Sequence, residues 1–543
     1  MRKLSLLLLI SLSLSASAQT ITLSTNRVHT GISNNGFQFI NGFSPLVNNT
    51  PLPPLTTESG LWMGGYAPDS TLRLSIAYQG KSDFTPGTQD GAGQPTNLLA
   101  QRVWKVTKAE IDAHIADFSD NGVVDNPIPA IFGWPGRGNA FFAAQNGGNQ
   151  LPISQQDLAP FMDVDGDAQY DPQSGDHPAA EIRGCATFVP DIKEMYWYVY
   201  NGTHGSVSAT NGAGLNIEVQ VTHFVFDCAE NAPLGNTVFT AYRLINREDL
   251  PLENFRIGLY NTYSIGSNTD DFVGADLSNY LFYAYNGDNV DATVYGNTPP
   301  ALGFDILRNP STVEQDSFGN GTLVAVPVTV SIPFTPGTPL NNSAAFNLLN
   351  GLNPDGSAAL DNGLPFTGNP AIEGEPSEIT AGNAPGPRAT LTSFAPFTLM
   401  PGAQKEVICA HFYTFNPIQG NLGNQQLLYP FDYAIQGIFD NCLTVIEPND
   451  GCTPIPTVVS DPGEIVEIST FPNPTTDTWT VTARENIQSV TISDVQGRVL
   501  VQLADIGQSS ASVSLGKWAT GLYFASITTQ SGAVVVKKVE VVR

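Results

Sequence analysis

At 543 residues the chain is longer than one ordinary hydrophobic core supports, and about 150 residues per domain makes it multidomain. Its 51 glycines and 40 prolines, with only 13% charged residues, suit turn-rich extracellular β domains and argue against a helical bundle, whose surfaces need more Ala, Glu and Lys. The formal net charge of −27 sets the chain against nucleic acid and anionic membrane surfaces and makes divalent cations its natural electrostatic partners.

Residues 1–18 read as a signal peptide. Arg2 and Lys3 form the basic start, Leu4 to about Leu14 the apolar stretch, and Ala16-Ser17-Ala18 the small-residue signature, with cleavage expected between Ala18 and Gln19. The expected route is the Sec machinery into the periplasm. No later apolar run approaches the roughly 20 residues of a bilayer span, so no transmembrane helix is expected after cleavage.

In the body, Thr107-Lys-Ala-Glu110 reads as a capping box opening a short helix to about Phe118. Asp117, Asp120 and Asp125 form a weak acidic group beyond it. The sharpest motif is Asp163-Val-Asp165-Gly-Asp167-Ala-Gln169-Tyr-Asp171. Carboxylates at positions 1, 3, 5 and 9, with Gly166 easing the bend, can converge on calcium, a structural cofactor that takes oxygen ligands. It is no EF-hand, because Ala168 and Ser174 replace the turn glycine and the closing glutamate; it resembles the short calcium loops of thrombospondin type 3 repeats. The competing reading is an Asp-rich turn whose carboxylates cap their own backbone. An inner domain boundary is expected near residue 180.

Alternating apolar residues at Ile217, Val219, Val221; Val238, Tyr242, Leu244; Phe255, Ile257, Leu259; Val324 through Ile332; and Val407, Cys409 predict half-buried antiparallel strands of β-sandwiches. Asp270, Asp271 and Asp276, followed by Asp288 and Asp291, form a second candidate calcium group between strands. A helix is expected over about Gln425 to Phe439, secure only after Pro430. Of five cysteines, Cys442 with Cys452 and Cys185 with Cys228 are conceivable closures, Cys409 is the fifth, and spacing fixes none of these.

Residues 455–468 have the composition of a linker, and 469–543 form a C-terminal module read as a small immunoglobulin-like sandwich. Pro472-Asn473-Pro474 makes the entry turn, and Asp494 to Gly497 and Arg498 a hairpin turn. Gly521 precedes a strand with Tyr523, Ala525 and Ile527 on one face, and Lys537-Lys538 opens a valine-rich last strand. These motifs, in this order, resemble the type A C-terminal sorting domain of the type IX secretion system. The resemblance implies an address: recognition by the outer-membrane machinery, removal of the module, and release or attachment to lipopolysaccharide, so that the chain ends at the cell surface or outside the cell.

Trp134-Pro-Gly-Arg-Gly-Asn139, Leu158 to Asp163, Gly175-Asp-His-Pro178, Asp270-Asp-Phe-Val-Gly274 and Tyr285-Asn-Gly-Asp288 also resemble a body that recurs beside such domains in large predicted surface proteins, a family with no assigned activity. Ala275 stands where many of its members carry Cys.

No HExxH, close His pair or GxSxG occurs, and 50 acidic residues make nominal glycosidase pairs meaningless. His223 reads as a structural strand residue, and Trp62, Trp104, Trp134, Trp197 and Met195-Tyr-Trp-Tyr-Val-Tyr200 as core aromatics rather than a sugar platform. Two readings follow for the body. One is a noncatalytic adhesive, glycan-binding or structural protein stiffened by calcium; the other is a secreted hydrolase of polysaccharide or protein.

Overall fold

The computed structural model describes residues 19–542 except 90–95, 97–98, 101, 153–157, 186–191, 204–207, 227–231, 292–293, 316–320, 338, 417–419, 444–467, 495–498, 505 and 531–533. The expected signal peptide, Cys228, Cys452, most of the expected linker, Gly497 and Arg498 lie outside the described residues.

The chain divides into two compact units, 1–454 and 455–543. The body unit is built on two antiparallel sheets. The first runs Thr20–Thr25, Val28–Ser33, Phe37–Val47, Ser59–Tyr66, Leu252–Thr262, Ala389–Phe394 and Val328–Phe334. The second runs Asp271–Asp276, Leu281–Asn286, Ala301–Arg308, Gln404–Thr414, Thr237–Asn246, Ile217–Phe226 and Ile192–Asn201. Near residue 180, where an inner boundary was expected, there is none. Ser59–Tyr66 pairs with Leu252–Thr262 and Trp104–Thr107 with Ile192–Asn201, so segments from both sides share each sheet.

The expectation of half-buried strands needs correction, because the body has three apolar layers. Leu61, Met63 and Ile257 of the first sheet meet Val219, Val221, Val238 and Val407 of the second in the central core. The far face of the second sheet buries Phe224, Phe239, Ile408 and Phe412 under helices. The far face of the first buries Trp62, Ile76 and Leu391 under the helix Asn342–Leu349. Alternation in the sequence therefore separates two buried faces, not core from water. The run from Val324 to Ile332 is also two elements. Pro327, which has no N–H to donate, separates Gly321–Ala325, paired with Ser311–Gln315, from Val328–Phe334 in the first sheet.

The capping box is present: the Thr107 hydroxyl accepts from the Glu110 N–H, the Glu110 carboxylate accepts from the Thr107 N–H, and the helix runs Lys108–Asn121 to a left-handed Gly122. The later helix, Asn421–Asp440, runs straight through Pro430. Leu428, Phe431, Ile435 and Phe439 bury one face of it, and that burial outweighs the hydrogen bond that proline forgoes. Cys185 bonds Cys442, a pairing across 257 residues that neither conceivable closure anticipated, while Cys409 is free and buried.

In the C-terminal unit, the long strand Thr478–Asp494 pairs with Ile468–Phe471 and Gln508–Ser514 along its first half and with Val499–Leu503 and Gly521–Thr529 along its second. Trp479, Val481, Ile492, Ala525, Ile527 and Val539 fill the space it encloses.

Candidate functional site

The acidic loop begins after Phe161–Met162, which pairs with His177–Pro178 and so brings the loop's two ends together. Gly166 and Ala168 both take positive φ, and the turn folds back on itself. Asp163 accepts the N–H groups of Gly166 at 2.8 Å and Ala168 at 2.9 Å, and the Arg137 guanidinium donates to the Ala168 carbonyl. Asp163, Asp165 and Asp176 bring carboxylate oxygens within 4.8 Å of one another. Asp176, which the motif reading missed, is buried and accepts from Val164 at 2.7 Å and Asp171 at 2.9 Å. Burial raises its pKa, those two N–H groups oppose the rise, and Asp165 and Asp163 add to it. Its signal in the sequence is only that it precedes the strand closing the loop.

Three expected ligands point elsewhere. Asp167 accepts from the Gln169 N–H, Asp171 caps the short helix Pro172–Ser174 by accepting from Gln173, and the Gln169 side chain lies against Gly138. Both competing readings of the motif therefore describe the loop: every one of these carboxylates caps backbone, and among the described residues Asp163, Asp165 and Asp176 also bring their oxygens together in a set suited in kind to a hard cation.

The second acidic group is divided by its own strand. Asp271 and Asp276 sit at opposite ends of Asp271–Asp276, roughly 16 Å apart at about 3.3 Å per residue, and Asp276 binds Ser278 and Asn279 locally. Asp270 and Asp271 instead feel the charge of Asp291. Burial, then their mutual charges, raises Asp271, whose carboxylate accepts from the Ile265 N–H. Burial, then Asp291 and Asp288, raises Asp270. In the third group Asp117 accepts from Asn126 and Asp125 from Asn121, leaving no convergence with Asp120 among the described contacts.

The histidines of the central core are fully engaged. His223 lies between Tyr198 and Thr240, each at 2.9 Å, and His411 between Gln38 and Asn261 at 3.2 and 2.8 Å. Burial lowers the pKa of each to about 3, so both rings are neutral parts of the packing. Trp62, Trp134, Trp197 and Tyr196, Tyr198 and Tyr200 are buried as core aromatics.

Open clefts among the described residues include two of note. One, of about 280 Å³, lies beside Ile332, Phe334 and Phe366, where Glu378 and Arg388 are paired at 2.7 Å. The other, of about 290 Å³, lies on the far face of the second sheet, beyond the point where the helices stop covering it. Along Ile217–Phe226 that face changes from Phe226 and Phe224 to Thr222 and Gln220, and along Thr237–Asn246 from Phe239 to Ala241 and Arg243. Arg183, Lys405 and Glu406 also line it. Glu406 sits 4.0 Å from both Arg183 and Arg308, and burial raises its pKa against the pull of those cations. The segment bearing Arg183 is fastened two residues on by the Cys185–Cys442 bond.

Two solved structures are remotely similar. A protein named as an aldose 1-epimerase of Escherichia coli K12 is 10% identical over 74% of this chain and all of its own, with TM-score 0.25. A polysaccharide lyase is 10% identical over 66% of this chain and 38% of its own, with TM-score 0.21. No curated protein matches. The family model described as a secretion system C-terminal sorting domain matches residues 469–542. In that unit Pro472, Asn473 and Pro474 are exposed ahead of the long strand, Asp494 ends it in register with Tyr523, and Lys537 and Lys538 are in backbone register with Ala525 and Phe524 in the last pairing. The strands of 468–541 and the matched residues coincide, and the chain is cargo of the type IX secretion system, carrying that system's C-terminal sorting domain.

Proposed function

We propose that this cargo is a noncatalytic binding protein of the cell surface or the extracellular space, whose β body holds glycan and whose 163–176 loop is stiffened by calcium. The observation that carries the reading is the pairing of an export module with a body whose central histidines, His223 and His411, are committed to packing and whose polar cleft is an open sheet face. Export runs through the Sec machinery and the periplasm, and the sorting domain is then removed, with release or attachment to lipopolysaccharide.

The test is to incubate the exported chain with polysaccharides and casein in calcium buffer, reading retained glycan together with new reducing ends and amino termini. Retention without new ends is expected. New ends above a heat-killed control would replace the reading with a hydrolase.

A further inference from the structure

We infer that the cleft on the far face of the second sheet is an anion-selective sugar site, taking a uronate or sulfated residue of an extracellular glycan; this rests on the glycan-binding reading above. The chain as a whole carries −27, yet Arg183, Arg243 and Lys405 line this one cleft against Glu181 and Glu406, with Arg308 behind Glu406 at 4.0 Å. The crowding is felt by the groups themselves. Burial lowers the pKa of Lys405, and the Arg183 charge lowers it further; burial also lowers Arg308, where Glu406 and Asp440 oppose the fall and Arg183 adds to it. An acidic ligand would relieve that repulsion in a partly desolvated setting, where charge-assisted hydrogen bonds gain most.

The remaining surface suits a sugar ring rather than a bare ion. Gln220 and Thr222 form a hydrogen-bonding floor beside the Arg243 guanidinium, which donates through Nε and Nη2 to Gln404 at 2.9 and 2.7 Å and leans toward Glu181 at 3.6 Å. At about 290 Å³ the cleft stands at the small end of ligand sites, about 300–1,000 Å³, which fits a terminal sugar residue or one unit of a chain. Its cationic wall is held rigid: Arg183 donates to Asn309 and Ser311, Arg308 donates to the Arg183 carbonyl, and Cys185 anchors the segment to the end of the helix Asn421–Asp440.

The exported chain, residues 19–543, is titrated with alginate, hyaluronan and heparan oligosaccharides, with neutral cello-, manno- and chito-oligosaccharides, and with inorganic sulfate alone. Binding of an acidic oligosaccharide at least about tenfold tighter than its neutral counterpart and than sulfate is expected, with a further loss of about tenfold at high salt or in Arg243→Gln. Lys405→Gln and the salt dependence of the unaltered chain decide the matter if Arg243→Gln unfolds. Equal binding of neutral and acidic glycans, indifferent to both substitutions, overturns this site and leaves the glycan reading standing. Binding of sulfate as tight as any glycan reduces the cleft to an anion trap and overturns it too. No binding of any glycan sinks both readings.

Discussion

Asp305, in the strand Ala301–Arg308, and Asp432, in the helix Asn421–Asp440, face each other as buried carboxyls, and neither oxygen of Asp305 has a well-aligned partner elsewhere. Two ionised carboxylates could not share that seam. Burial, reinforced by Asp432, keeps Asp305 protonated well above the usual carboxylate range, and burial raises Asp432 to about 7. One proton can then bridge the pair and fasten the helix to the sheet.

A raised folded pKa means that the native state binds more protons than the unfolded chain above about pH 4. The pair's contribution is therefore full below the unfolded carboxylate pKa and is lost as pH rises through about 7. Asp432→Asn supplies a donor without charge. It should gain on the unaltered chain by on the order of 2 kcal/mol between pH 5 and pH 8. Parallel melting curves at the two pH values would refute the shared proton.

The buried histidines act with the opposite sign. Their folded pKa values, about 3, lie below the unfolded value, so stability is lost as pH falls through the unfolded value of about 6.5. His223→Gln should flatten the acid limb of the melting profile while leaving the difference attributed to Asp432 intact, since the two sites belong to different cores. If the acid limb is unchanged, the ring is not the group that titrates on unfolding.

How much of this was legible in the sequence differs by element. Val219, Val221 and Val407 marked their strands because a period of two survives any partner, yet the alternation could not tell whether the second face meets water or a helix. Pro430 looked like a stop because local propensity counts a lost hydrogen bond, whereas Leu428, Phe431 and Ile435 bury the helix face around it. Asp163 and Asp165 were visible from spacing. Asp176 was not, because the pairing of Met162 with His177 that folds it back is a contact rather than a spacing. The polar cleft was invisible for the same reason: Gln220, Arg243 and Glu406 become neighbours only through strand register.

The Cys185–Cys442 bond spans nearly half the chain, so reducing it frees a large closed loop in the unfolded state. Cys185→Ser with Cys442→Ser should cost the body about 2–4 kcal/mol and loosen the Arg183 wall. Cys409 should stay unlabelled by iodoacetamide in the folded chain at pH 8, because it is fully buried and burial pushes its thiol pKa far up. Rapid labelling of Cys409, located by peptide mapping, would show that the central core opens on the timescale of the reaction.

For the acidic loop, the informative reading is the change in melting temperature on adding a chelator. Asp163→Asn and Asp176→Asn should each abolish a chelator-sensitive stabilisation, which for a site held at about 100 times its Kd amounts to about 2.7 kcal/mol. Asp167→Asn should keep it, since that carboxylate caps Gln169 and lies outside the converging group of Asp163, Asp165 and Asp176. Comparing each variant with and without chelator removes the cost of the lost backbone caps at Asp163 and Asp176. Equal loss in all three variants would return the whole motif to the cation, and no chelator effect in the unaltered chain would leave only a capped turn.

One substitution separates the two things the export machinery could read, the fold of the sorting domain and its motifs. Trp479 is fully buried at the centre of the sorting domain, packed with Val481, Ile492 and Ala525, and its replacement by alanine should cost about 3–5 kcal/mol. The motif residues Pro472, Asn473, Pro474 and Tyr523 would be chemically unchanged, so the substitution separates the fold from the motifs. Accumulation of Trp479→Ala precursor in the periplasm, with Thr480→Ala on the exposed face exported normally, is the expected result if the machinery requires the folded sandwich. Normal export of an unfolded module, verified by its loss of protease resistance, would mean instead that the motifs are read as an extended segment and that the sheet around Thr478–Asp494 serves only to protect them.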